Sequence, residues 1–188
     1  RASLAEARSL AAASRGGQSE LRVASPFLFG RIVLSSYFAR FLAANQAVTG
    51  ILKFDNAWID PLRSEFDLAI RIERPVEAYL TVARLATARL QLYAAPSIAA
   101  RIRSLADLGR FPAVQTANLH ASTVSWRLTD ATHQHEVQMQ VRSTVNDPES
   151  ACELVTQGIG VGSLPSFLAR ALVVEGRVQP VLPQFNAG

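Results

Sequence analysis

The run Glu20-Leu21-Arg22-Val23-Ala24-Ser25-Pro26-Phe27-Leu28-Phe29-Gly30-Arg31 sets the reading of the chain. Leu21 to Ser25 alternates as a short strand and stops at Pro26, which biases the residue before it toward extended backbone. Beyond Gly30 the period changes. Ile32, Leu34, Tyr37, Phe38, Phe41 and Leu42 recur on one face of a predicted helix that ends near Asn45. The alternation continues with a second strand over Thr49 to Phe54 and a short helix opened by Asp60-Pro61, with Asp60 as cap. Asp67 to Arg71 is a third strand, whose apolar centre suits cover on both faces. Strand and helix alternating in this way build a mostly parallel sheet flanked by helices.

Working outward, Arg1 to Ala13 reads as helix, and Gly16-Gly17 begins a linker. Downstream, Tyr79 to Leu85, Arg89 to Ala94, Phe111 to Thr116 and His135 to Ser143 are predicted strands. Pro96 starts a helix, Leu105 to Leu108 is a short apolar turn, and Ser122, Thr123 and Ser125 form a hydroxyl-rich loop before Trp126. Asp147-Pro148-Glu149 combines a cap, a proline at the first position and an acid in the first turn, so a helix runs from there to Gln157 and stops at Gly158. Ile159 to Leu164 is a strand, Pro165 opens a helix to about Leu172, and Val178 to Leu182 closes the series. This order suits a two-lobed hinge-binding fold with a cleft between the lobes.

Hydrophobic residues make up 49% and charged residues 18%, the balance of a chain able to bury a core. No apolar run of membrane-spanning length is apparent, and the opening stretch has no secretory signal; a start inside a helical pattern implies that further chain precedes it. The single cysteine, Cys152, excludes an internal disulfide and suits a reducing cytoplasm. A net charge of +4 raises a nucleic-acid reading, but the arginines are spread from Arg1 to Arg177 with acids between them and form no dominant basic cluster. The positive balance favours an anionic ligand or a DNA-bound assembly.

Six segments together resemble the effector-binding domain of LysR-type transcriptional regulators: Glu20 to Arg31; Phe66 to Ile72; Arg84-Leu85 with Leu92 to Ser97; Asn146 to Ala151; Gln157 to Val161 with Leu164-Pro165; and Gly176-Arg177-Val178 with Val181 to Pro183. The resemblance implies an α/β, two-lobed, periplasmic-binding-protein-like fold made of two Rossmann-like subdomains and a hinge. Residues 1–19 would be the end of a linker helix and the linker, residues 20–85 with 165–188 the first lobe, and residues 86–164 the second. The family pattern would place a last strand and helix beyond Gly188. The resemblance also implies a small organic effector, expected to be anionic, and no cofactor. Side-by-side dimers would form, tetramers in the full-length protein, and DNA would be contacted only through an absent N-terminal winged helix-turn-helix.

The resemblance further implies a cleft between the lobes lined by loops at strand carboxyl ends, where open α/β sheets present free helix amides, and with it a set of candidate effector contacts. They are Ser25, with the amides of Phe27 and Leu28; Phe27 as a closing ring; Asn56 after the second strand; Arg71, whose planar fork suits a carboxylate; Ser122 and Thr123; and Asn146. Each also has a plain structural role open to it, as cap, turn or solvated ion pair. No catalytic set is present. His133-x-His135, with His120 some way off, lacks companion ligands for a metal; Cys152 reads as a small buried hydrophobe; and Gly158-x-Gly160-x-Gly162 begins a strand instead of ending one. A solute-binding protein of a transport system is the alternative on the same fold. A transferase or deaminase would need an acid–base pair that the sequence does not offer.

Overall fold

The strand β1, Ser19–Ser25, is the centre of a three-stranded parallel sheet in the order β2-β1-β3, with β2 spanning Val48–Phe54 and β3 spanning Leu68–Ala69. Neighbours on both sides explain why Val23, Ala24 and Ser25 are buried while β2, an edge strand, alternates. This is a computed structural model that describes residues 19–56, 65–72, 79–116 and 122–187. The predicted helices over Arg1 to Ala13 and from Asp60-Pro61 lie outside the described residues, as do Ala57, Trp58 and His120.

Pro26 ends β1 and starts the helix α1, Phe27–Ala44, with Gly30 N–H donating to Pro26 O at 2.8 Å. Residues Gly30–Leu34 form a π turn, and the Ser35 hydroxyl donates to Gly30 O. Gly30 is required by close approach: a Cβ there would lie 2.4 Å from the Phe54 ring. Contrary to the sequence reading, α1 is long and apolar enough to cross a membrane by length and composition. It carries Arg31 and Arg40, however, and Phe38 and Leu42 close on Gly50 of β2, the arrangement of a helix that covers a sheet.

Two other expectations fail in this first unit. β3 is only two residues long, and Leu68 is 48% exposed, so it is not covered on both faces. Residues 81–85 carry no strand and are exposed, although Tyr79 to Leu85 has strand-like composition. Strand propensity acts through neighbours, and among the described residues β3 has no second one.

The chain divides between Leu85 and Ala86, and the second unit is built on a six-stranded mixed sheet in the order β6-β7-β5-β8-β4-β9. Its strands are β4 (Leu90–Ala94), β5 (Ala113–Thr116), β6 (Thr123–Thr129), β7 (Gln134–Val145), β8 (Val161–Pro165) and β9 (Gln179–Pro180). Its helices are α2 (Pro96–Ala99), α3 (Leu105–Leu108), α4 (Pro148–Thr156) and α5 (Ser166–Val174). The predicted cap holds: Asp147 accepts from Ser150 N–H at 2.8 Å, and Gly158 ends the helix region at φ +73°, where a side chain would be strained.

Period-two alternation sends side chains to two cores. On the inner face, Leu92, Ala113 and Val161 meet Trp126, Leu128 and Met139; on the outer face, Tyr93, Val114 and Leu164 meet Val155 and Ala169. The long strand β7 makes this possible. Its second half pairs with β5 across a register irregularity, and its first half pairs with β6, so the sheet curls and the β6–β7 hairpin covers the inner face. Thr129 and Asn186 exchange backbone bonds of 2.9 and 2.8 Å, and Ala187 N–H donates to Leu90 O, closing the seam. At the hairpin tip Asp130 accepts from the Thr132 and His133 amides and pairs with His135 Nε2 at 2.9 Å, while the His135 ring stands edge-on to Phe185. The Thr132 amide first, then His135, holds the Asp130 carboxyl well below the usual carboxylate range.

Residues 165–187 correct the expected lobe division. Pro165 pairs with Leu90 and Pro180 with Tyr93, and Val178, Val181 and Leu182 are buried in the second unit's cores. β8 lies between β5 and β4, so the helix that follows it covers the same sheet instead of returning to the first lobe.

Candidate functional site

Because β1, β2 and β3 are parallel, their carboxyl ends share one edge, and that edge gathers four of the expected residues. Ser25 is 1% exposed; its hydroxyl donates weakly to Pro26 O at 3.3 Å, and its carbonyl accepts from Asp55 N–H. Asn56 Oδ1 accepts from Phe27 N–H at 2.9 Å. This bond has two consequences. It occupies one of the amides that the sequence reading left open for an anion, and it orients the Asn56 side chain so that its NH2 group is turned away from the helix as a donor. Phe27 is half exposed and stacks edge-on against Phe54 at 5.9 Å between ring centroids. Arg71 is half-buried just past β3, whose neighbour Ile70 is held by Ala24 O.

In the second unit β5, β7 and β8 are mutually parallel and end on one edge as well. Asn146 stands there, exposed, between the end of β7 and the Asp147 cap of α4. Ser122 and Thr123 do not. Thr123 pairs with Gln140, about 20 Å back along β7 at the rise of an extended strand. Nor is the Ser122–Ser125 stretch a loop. From Thr123 on it is β6, with Thr123 and Ser125 on the solvent face and the Ser125 hydroxyl donating to Glu136.

The sequence reading missed two residues at this edge. Gln115 Oε1 and Ser163 Oγ are buried without a hydrogen-bond partner among the described residues. Val114 pairs with Gly162, so the next step along the parallel strands brings Gln115 and Ser163 side by side, and Gln115 pairs with Thr144 on its other flank. An orphaned buried oxygen costs about 1–3 kcal/mol, so two at adjacent positions mark a place with a reason to hold them. Polar residues at the end of an apolar strand were the only available sign.

Among the described residues no group of His, Cys, Asp and Glu is placed to hold a metal; His135 is engaged with Asp130 and His133 with Thr132. Cys152 is buried in α4 and its thiol is pushed up to about 11, by burial and then by the Asp147 carboxylate. The thiolate is the reactive form. Iodoacetamide is therefore expected to leave the folded protein unmodified at pH 8 and to label Cys152 only after denaturation, as intact mass would show; rapid labelling of the native chain would contradict this. An open groove of about 500 Å³ runs along α5 and the β4–β9 edge, lined by Tyr93, Phe167, Arg170 and Val174. It holds none of the residues singled out at the strand ends.

A family model described as the LysR substrate binding domain matches residues 14–187. The HTH-type transcriptional regulator PtxR of Pseudomonas aeruginosa is 27% identical over 166 residues, covering 87% of this chain and 53% of that protein. The regulatory domain of AphB in Vibrio vulnificus is similar at a TM-score of 0.74 and 16% identity, covering 93% of this chain and 86% of that one. For the CrgA regulatory domain of Neisseria meningitidis the values are 0.70 and 21%, with 90% and 87% covered. The chain spans about half the length of the curated relatives it matches. Its fold is the α/β, periplasmic-binding-protein-like fold of such regulatory domains.

Proposed function

Since this chain belongs to the LysR substrate-binding-domain family, we propose that it senses a small organic anion at its strand carboxyl ends and catalyses nothing. In the longer protein, effector binding would bias a preceding winged helix-turn-helix, the part that contacts DNA, through its different affinity for two arrangements of the lobes. Residues 1–19 would join the two parts, and self-association to dimers, then tetramers in the full-length regulator, would place the DNA-binding pair; the protein would work in the cytoplasm. Its relatives are transcription regulators, which favours this reading over a transport protein.

The observation that carries the proposal is Asn56. Its oxygen is committed to Phe27 N–H at 2.9 Å, so what it offers a ligand is a donor, which suits a carboxylate. Phe27 and Ser25 flank it, and Arg71 lies on the same edge; Asn146 stands at the strand edge of the second unit.

Thermal-shift screening of small aromatic and aliphatic acids tests the proposal, because a ligand that binds only the folded state raises the melting temperature. Asn56→Asp then probes the site: the carboxylate keeps the acceptor for Phe27 and removes the donors. Acid affinity is expected to fall at least ~30-fold, the size of a lost charge-assisted bond of about 2 kcal/mol, with melting temperature nearly unchanged. Calorimetry showing equal affinity in the variant would remove Asn56 from the site.

A further inference from the structure

Gln115 and Ser163 form a polar element of the second unit's strand edge, and an acid group cannot satisfy the Gln115 oxygen. An amide oxygen only accepts hydrogen bonds, as a carboxylate does, so the two repel. The two residues follow the last paired positions of β5 and β8, on adjacent strands about 4.8 Å apart. They share the inner face with Ala113 and Val161, the residues two positions before each in the strands. Both oxygens are buried and neither has a partner among the described residues. Thr144, paired with Gln115 across β7, adds a half-buried hydroxyl on the other flank.

We infer that the effector carries a hydrogen-bond donor, a hydroxyl or an amino group, that meets Gln115 Oε1, and that Gln115 with Ser163 makes the protein select hydroxylated acids over plain ones. This rests on the reading of the strand ends as the effector site and adds the ligand's second functional group to it. The Ser163 hydroxyl can both donate and accept a hydrogen bond, so it completes a chain in which the ligand group donates to Gln115 and bonds with Ser163. A site built around such a bond rejects the analogue lacking the hydroxyl, because the protein's own polar atoms are then left buried and unpaired.

The test uses matched acids on the chain as it stands: lactate against propionate, 3-hydroxybutyrate against butyrate, and 4-hydroxybenzoate against benzoate, each by calorimetry. The hydroxylated member is expected to bind at least ~10-fold tighter in one pair or more. Gln115→Met, of similar length, is expected to abolish that preference, whereas Gln115→Glu, which keeps an acceptor but adds a negative charge, weakens every acid and retains the preference for the hydroxylated member of a pair. A preference that is absent from every pair that binds, that survives Gln115→Met, or that disappears in Gln115→Glu overturns the inference while leaving the effector site in place. If none of these acids binds, the reading of the site falls and the inference with it. A ligand-free measurement stands beside these. Removing an orphaned polar atom is stabilising when it exists for function, so Gln115→Met and Ser163→Ala are each expected to raise Tm by a few degrees; a fall in Tm in both would mean the oxygens are already satisfied and would also overturn the inference.

Discussion

Alanine in place of Gly160 is expected to destabilise the second unit by about 3 kcal/mol or more, the upper range for forcing a methyl group into a filled space. The added Cβ would lie 2.4 Å from Pro112 O and 3.0 Å from Pro112 C, and both are backbone atoms that no rotamer change can move. The same carbonyl accepts from Val161 N–H at 2.9 Å, the first bond of the β5–β8 pairing. Relief of the contact therefore separates two central strands at the point where both cores begin. Gly109→Ala supplies the control, since its nearest contact would be 3.5 Å and its φ of −62° suits any residue. Urea denaturation is the measurement: the Gly160→Ala midpoint should drop sharply while Gly109→Ala stays near the parent. Equal midpoints for the two variants would contradict the close approach.

Leu128→Ala is expected to cost about 2–5 kcal/mol, the range for emptying a fully buried leucine site. Leu128 has no exposed surface and belongs to the inner-face core with Trp126, Val137 and Met139. It sits beside Thr129, which holds Asn186, so the cavity opens at the seam where the curled sheet is closed. Neighbouring strands here are pinned by backbone bonds and cannot collapse freely into the gap, which places the cost in the upper half of that range. A loss below about 1 kcal/mol would mean that the hairpin does not close over the inner face.

Much of the framework was legible where a few adjacent residues decide it. Pro26 after Ser25, the Asp147-Pro148 start and the Gly158 stop each act within one turn of chain, and each stands as read. The β6 strand was legible too, and passed over. Val124, Trp126 and Leu128 alternate with Thr123, Ser125, Arg127 and Thr129 at period two, ahead of an Asp130–His133 turn, yet the hydroxyls drew attention to a loop. Tyr79 to Leu85 shows the opposite failure: strand composition, but no neighbouring strand among the described residues to realise it.

At the candidate site the limit is different. The family resemblance named Ser25, Phe27, Asn56 and Arg71, and they gather because parallel strands paired near their carboxyl ends finish on one edge. The direction in which Asn56 donates came from a bond spanning 29 positions. Gln115 and Ser163 became visible only because neither oxygen has a partner among the described residues.

By itself, then, the order of residues determined the alternation of strands and helices, their caps and stops, and which ends of strands are polar, since these depend on backbone preference and side-chain period over a handful of positions. The tertiary structure alone decided that residues 165–187 stay with the second unit, that β7 is long enough to curl its sheet, and which polar atoms are left unpaired. Those outcomes depend on which distant segments compete for the same edge or the same hydrogen bond, and that competition is settled only when the chain is packed.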